Sequence, residues 1–322
     1  MCSTVAESGL VKILVTGGAG FIGSHLAEAL NDSGHSVVAI DSLESFLYPV
    51  EDKIRNIEDF QSKSIEFHKV DILRDKIEHF VKPAEIIINL AAVPGLVKSW
   101  EFFDKYIESN LLALGKLLES CKYSNVQKLV QISTSSVYGK IATGIENSTL
   151  NPYSPYGVSK LAAEKLVNTY SANFNIPTTI LRYFSVYGPR QRPDMAYQKI
   201  IKSILSNESI EIYGDGEQSR TNTFVSDIVI GTIGAIEAGS KTEGKTYNLA
   251  GREQLSLIQA ISVIEKVIGK KAKLIHLPAR DGDQMHTRGD ISAAIKDFDY
   301  NPNTEFRAGI EKQVEWNLKY KD

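Results

Sequence analysis

The chain has little cysteine: two residues in 322, Cys2 and Cys121. That excludes a disulfide framework and fits a reducing compartment. It lacks any Cys/His cluster at metal-ligand spacing, its six His being scattered, so no metal site is expected. It lacks an excess of either charge: Lys and Arg total 36 against 39 Asp and Glu, a net charge of −3. Nucleic acid and anionic membranes are therefore not expected partners. No apolar run approaches the roughly 20 residues of a membrane span, and Met1 to Gly9 has neither region of a secretory leader. Internal repeats and low-complexity tracts are absent too. What is left is an ordinary globular composition, 43% apolar and 23% charged. A soluble, cytoplasmic protein is expected, long enough for a substantial α/β core.

What is present is alternation. Val11 to Thr16 is a short apolar, β-branched run, as in a buried parallel strand. It feeds Gly17-Gly18-Ala19-Gly20-Phe21-Ile22-Gly23, after which Ser24 to Leu30 repeats apolar residues at helical spacing. Glycines there permit a tight turn and let a pyrophosphate approach N–H groups at a helix N-terminus. A second strand, Ser36 to Ile40, ends at Asp41, close to where a dinucleotide fold carries its ribose-binding acid. A carboxylate there accepts from ribose hydroxyls and repels a 2′-phosphate, which favours NAD over NADP. Ile65 to Val70 leads to Asp71-Ile72, placed to flank an adenine, and Glu85 to Leu90 leads to the small residues Ala91-Ala92. Helices are expected at about 102–122 and from Tyr156 to about Ala172, with a strand at Thr178 to Tyr183. Strands alternating with helices predict a Rossmann-type doubly wound parallel sheet, with ligands at the carboxyl ends of its strands.

Within that frame, Lys128 to Ile132 is a strand delivering Ser133 and Thr134, and Tyr156 and Lys160 share one helix face. A free phenol titrates near 10, so a phenolate at neutrality must be favoured by roughly 4 kcal/mol. A neighbouring ammonium and a cationic cofactor ring could supply that. Beyond Pro189 turn signals multiply, which predicts a smaller lobe over 189–322 beside a dinucleotide domain over 10–188. Segments near 222–250, including Thr223 to Val225 and Thr246 to Leu249, are expected to return to the first lobe.

The glycine loop with its Thr16, Asp71-Ile72, Leu90-Ala91-Ala92, Asn110, Ser133-Thr134-Ser135 and Tyr156-x-x-x-Lys160 together resemble an extended short-chain dehydrogenase/reductase. Within that family the chain is similar to NAD-dependent nucleotide-sugar epimerases. The stretches 94–100 and 182–196 resemble the UDP-glucuronate 4-epimerase subgroup, with Ser185 where the subgroup has Thr and Lys98 where it has Arg. The resemblance implies a homodimer and an NAD site made of Gly17, Gly20, Phe21, Ile22, Gly23, Asp41, Asp71, Ile72, Leu90, Ala91, Ala92, Asn110, Ser133, Tyr156, Lys160 and Tyr183. It implies a UDP-sugar site made of Lys98, Thr134, Ser135, Ser185, Arg192, Tyr213, Arg220, Arg280 and Asp283. Tyr156 is then the base on the sugar 4-hydroxyl, Thr134 a hydrogen-bond partner to the same oxygen, and Lys160 the group that lowers the pKa of Tyr156.

Alternatives stay open here. Arg192 is either a carboxylate clamp or half of a local ion-paired turn with Asp194, and Tyr213 either stacks on uracil or simply packs. The helices at 102–122 and 156–172 pair across a dimer or serve the core of one chain. Three functions follow: a UDP-glucuronate 4-epimerase, a 4-epimerase of UDP-glucose or UDP-N-acetylglucosamine, or an NAD-binding sensor without chemistry.

Overall fold

The computed structural model describes residues 10–279 and 285–320. Seven strands form one wholly parallel sheet: β1 (Lys12–Thr16), β2 (Ser36–Asp41), β3 (Glu66–Lys69), β4 (Ile86–Asn89), β5 (Lys128–Thr134), β6 (Thr178–Tyr183) and β7 (Lys245–Leu249). Their spatial order is β3-β2-β1-β4-β5-β6-β7, so the order reverses between β1 and β4. The expected doubly wound sheet is observed, and its switch point is where such sheets take ligands. The central strands are apolar without alternation because both faces are covered. Helices Phe21–Asp32 and Val225–Glu237 bury Leu26, Leu30, Ile228 and Val229 on one face. Helices Ala113–Cys121 and Pro155–Phe174 bury Leu114, Leu117, Ala163 and Val167 on the other.

Among the buried polar residues in these strands is Lys128. It stands at the start of β5 and donates to the carbonyls of Ala235 (3.1 Å) and Gly239 (2.6 Å) and to Thr242 Oγ1 (2.7 Å). A cation there closes the end of helix Val225–Glu237, where carbonyls lack helical partners.

One element differs from the sequence reading. The helix expected at 102–122 runs from Phe103 to Cys121, but its middle turn, Glu108–Leu112, is a π-helix. Such turns concentrate at functional sites, and this one carries Asn110. The segment 246–249 joins the sheet as β7, against β6. Thr223–Phe224 also pairs with a segment of 10–188, making a separate parallel ladder with Val186–Tyr187.

The remaining strands form small separate sheets. Ser219–Thr221 pairs with Gln254–Ser256 and with His286, and His286–Thr287 pairs with Ile141–Ala142. Ser209–Tyr213 and Lys273–Leu277 form a further ladder. Among the described residues no helix is long and apolar enough to cross a membrane.

Candidate active site

A cavity of about 410 Å³ opens at the switch point. Its floor is the loop after β1. Gly17 has φ +70°, and a Cβ on it would lie 2.9 Å from the Ala91 nitrogen; a Cβ on Gly23 would lie 2.2 Å from the Gly17 carbonyl. Both positions exclude side chains, so backbone stays open to a ligand at the start of helix Phe21–Asp32. Thr16 Oγ1 ties the loops after β1 and β4 together, donating to Asn89 Oδ1 (2.6 Å) and accepting from Ala91 N (3.2 Å). At the far end, Asp41 Oδ1 accepts from Leu43 N (2.8 Å) and Lys53 Nζ (3.1 Å), while Oδ2 lies outside both contacts. A Cβ-free cradle, a helix N-terminus and an acid at the next strand end fit a dinucleotide.

Of the residues assigned to the cofactor from sequence, all but Asn110 line this cavity. Asn110 is buried behind the wall. Its Oδ1 accepts from Val93 N (2.8 Å), and its Nδ2 donates to Val93 O (3.1 Å) and Ser159 Oγ (2.9 Å). Its role is to shape the wall at Val93, and the π-turn aims it there.

The candidate reacting groups come from β5 and the long helix Pro155–Phe174. Ser154 caps that helix by accepting from Gly157 N (3.1 Å), and Pro155 begins it, so Tyr156 sits in its first turn. Thr134, Tyr156 and Lys160 all line the cavity. The Tyr156 ring meets Tyr106 edge-on at 6.1 Å. Burial pushes the Tyr156 hydroxyl up, against a hydrogen bond with Thr134 and the charge of Arg192, which pull it down. Lys160 lies one turn further along the same helix. Its Nζ donates to the Ile132 carbonyl at 2.6 Å. Burial lowers Lys160 to about 8, opposed by the charge of Glu164.

Glu164 extends the Tyr156–Lys160 stripe by one more turn and anchors a buried network the sequence reading missed. Arg182 forks onto it (Nε–Oε1 2.9 Å, Nη2–Oε2 2.7 Å), and Ser133 Oγ donates to the same Oε1. Arg182 Nη1 reaches Tyr138 Oη (2.8 Å) and the Glu146 carbonyl (2.9 Å). The helix bearing Tyr156 is thereby bolted to β5 and β6.

At the sugar end the backbone is strained. Ser185 (φ +32°) and Arg190 (φ +63°) are left-handed and bracket the loop that leads to Arg192. The loop is pinned to the cofactor-side helix Phe21–Asp32: His25 Nε2 lies 3.0 Å from the Pro189 carbonyl, and Arg190 pairs with Glu28 at 2.8 Å. Ser185 and Arg192 line the cavity. Arg192 also pairs with Asp194, through Nε–Oδ1 (2.9 Å) and Nη2–Oδ2 (2.8 Å).

Four residues expected at the substrate do not line the cavity. Lys98 lies over the Phe46 ring, its ammonium 5.6 Å from the centroid. Ser135 is buried where the chain turns into the 3₁₀ turn Ser135–Tyr138. Tyr213 donates to Glu211 (2.8 Å) at the end of its ladder, and Arg220 donates to the carbonyls of Ser219 and Met285. Arg280 and Asp283 lie outside the described residues. Conversely Phe46, Tyr48 and Lys53 line the cavity without having been foreseen. Nothing in their spacing marks them, because the turn through 42–49 and the helix Val50–Asn56 bring them back over Asp41. Among the described residues no group of His, Cys, Asp and Glu could hold a metal ion.

Comparison with known proteins matches residues 13–250 to the NAD dependent epimerase/dehydratase family. A Bacillus subtilis protein named "uncharacterized UDP-glucose epimerase YtcB" is 41% identical over 308 residues, covering 94% of this chain and 97% of that protein. UDP-glucuronate 4-epimerase 6 of Arabidopsis thaliana is 35% identical over 342 residues, covering 99% of this chain and 74% of that protein. The crystal structure of a Bacillus cereus UDP-glucuronic acid 4-epimerase with UDP-glucuronic acid and NAD superposes with a TM-score of 0.92 at 40% identity, covering 96% of this chain and 99% of that one.

Proposed function

The chain belongs to the NAD-dependent epimerase/dehydratase family, and from that premise we propose that it is an isomerase converting UDP-glucuronate to UDP-galacturonate. One observation carries the reading: Thr134, Tyr156 and Lys160 line one cavity with Ser185 and Arg192, above the glycine cradle. Bound NAD supplies a hydride acceptor, and then donor, at the sugar C4. The chain supplies the rest. Tyr156 takes the proton of the 4-hydroxyl and later returns it, and Thr134 hydrogen-bonds the same oxygen. Burial favours the neutral phenol, so Arg192 and a bound cationic ring together favour its ionised form.

Specificity rests on the chemistry of the intermediate. A 4-keto uronate is a β-keto acid and loses CO₂ once its carboxylate swings into line with the carbonyl π-system. Arg192 and Ser185 are proposed to hold that carboxylate still. Ser135 and Ser136 stand where decarboxylases and dehydratases of this kind need an acid, which weighs against elimination. A second reading, 4-epimerisation of UDP-glucose or UDP-N-acetylglucosamine, draws support from the name of the B. subtilis relative and from the pairing of Arg192 with Asp194. Tyr213, Arg220, Arg280 and Asp283 remain proposed contacts to the nucleoside diphosphate once the smaller lobe (189–322) meets substrate.

A homodimer through the helical pairs 103–121 and 155–174 is part of this proposal. Both present exposed apolar side chains, Leu112 at 53% and Val158 at 48%. A cytoplasmic site accords with Cys121, which is buried and free.

The test is UDP-glucuronate carrying deuterium at C4, with NAD-loaded protein and no added reductant. The product is expected to be UDP-galacturonate with its deuterium still on C4. Inversion accompanied by exchange of that deuterium with water would refute removal and return of the C4 hydrogen within one closed site.

A further inference from the structure

The pairing of Arg192 with Asp194 raises a question about the proposed clamp. A guanidinium has five N–H groups, arranged along more than one edge. Asp194 engages the Nε–Nη2 edge, with two parallel contacts of 2.9 and 2.8 Å. The amino group Nη1 and the second hydrogen of Nη2 lie outside that pair. Together they form another fork with carboxylate geometry. Arg192 lines the cavity beside Tyr156 and Ser185, whereas Asp194 does not line it.

Resting on the uronate reading above, we propose that Asp194 is a positioning residue. It grips one edge of Arg192 so that the other edge is presented, in a fixed plane, to the carboxylate of the sugar. Charge supports this arrangement. Arg192 and Lys98 both act on the Asp194 carboxyl, which burial pushes up and Arg192 holds low. The backbone supports it as well. The turn between the two residues closes with Met195 N donating to the Arg192 carbonyl at 3.1 Å, and upstream the loop is fastened to helix Phe21–Asp32. Arg192 is therefore fixed from both ends: its backbone by the loop and its side-chain plane by Asp194.

The consequence is a division of labour that an ordinary surface ion pair would not show. Asp194→Asn keeps an acceptor of similar shape but removes the charge and one half of the fork. Arg192 stays charged, so attraction for a uronate persists while its orientation loosens. The 4-keto uronate can then turn its carboxylate into alignment. The C5–C6 bond breaks, its electron pair enters the C4–C5 enolate, CO₂ leaves, and C5 takes a proton from water.

The experiment compares the NAD-loaded parent and Asp194→Asn with UDP-glucuronate, measuring kcat, KM, UDP-galacturonate and released CO₂. Melting temperature and NAD content confirm that the variant is folded and loaded, and Asp194→Ser serves as a second variant. Expected is a fall of about tenfold in epimerisation kcat, a KM unchanged or lower, and CO₂ release in at least about a tenth of turnovers. A variant matching the parent in kcat, without CO₂, overturns the positioning role and leaves the uronate reading standing. A parent that does not turn over UDP-glucuronate overturns both.

Discussion

Tyr156→Phe is expected to lower kcat by about 10³-fold or more while leaving fold and NAD content unchanged. General acid–base groups contribute roughly 10²–10⁴-fold, and Tyr156 is the cavity hydroxyl positioned by both Thr134 and the helix start at Pro155. The substitution removes one oxygen and keeps the ring, so the edge-on contact with Tyr106 survives. Lys160 also keeps its acceptor, because it bonds to the Ile132 carbonyl and not to the phenol. Turnover of UDP-glucuronate, melting temperature and NAD content, measured on one preparation, check this. A variant retaining a tenth of parental kcat would remove Tyr156 from the chemistry.

The second large effect concerns the network beneath the site. Arg182 and Glu164 are each 3% exposed and joined by two charge-assisted hydrogen bonds. Arg182→Met strands a buried carboxylate and also strips a donor from Tyr138 and from the Glu146 carbonyl. Breaking one side of such a pair costs about 3–5 kcal/mol, which denaturant unfolding would register. Removing both charges in Arg182→Met/Glu164→Leu should recover part of that loss, because a buried pair is weakly stabilising against an apolar replacement of similar volume. Activity should fall in both variants, since Glu164 lies on the Tyr156–Lys160 stripe and also takes the Ser133 hydroxyl. A loss below 1 kcal/mol in the single variant would contradict the reading of this network as the bolt between helix and sheet.

Much of the fold was legible because the central sheet strands, such as Lys12–Thr16, Ile86–Asn89 and Lys128–Thr134, are short, largely apolar runs. Gly17, Gly20, Gly23 and Asp41 were placed together from their spacing after successive strands, and the structure brings them to one cavity. What escaped depends on contacts distant in sequence. Asn110 looked like a ligand contact, yet it braces Val93 from a π-turn that has no sequence signature. Lys160 shares the cavity with Tyr156, and its hydrogen bond to the Ile132 carbonyl was not legible, because a backbone acceptor leaves no mark in the side-chain pattern. Lys53 reaches Asp41 only because the helix Val50–Asn56 folds back over the strand end. Arg192 was open between clamp and ion pair, and the structure gives it Asp194 as a partner while keeping it in the cavity.

The most direct measurement is turnover of UDP-glucuronate and UDP-glucose side by side by purified protein without added reductant. The account predicts UDP-galacturonate formed at least about a hundredfold faster than UDP-galactose, with no CO₂, because a bidentate guanidinium contact is worth a few kcal/mol. UDP-galactose formed as fast as UDP-galacturonate, or faster, would contradict it and return Arg192 and Asp194 to the architecture of the loop.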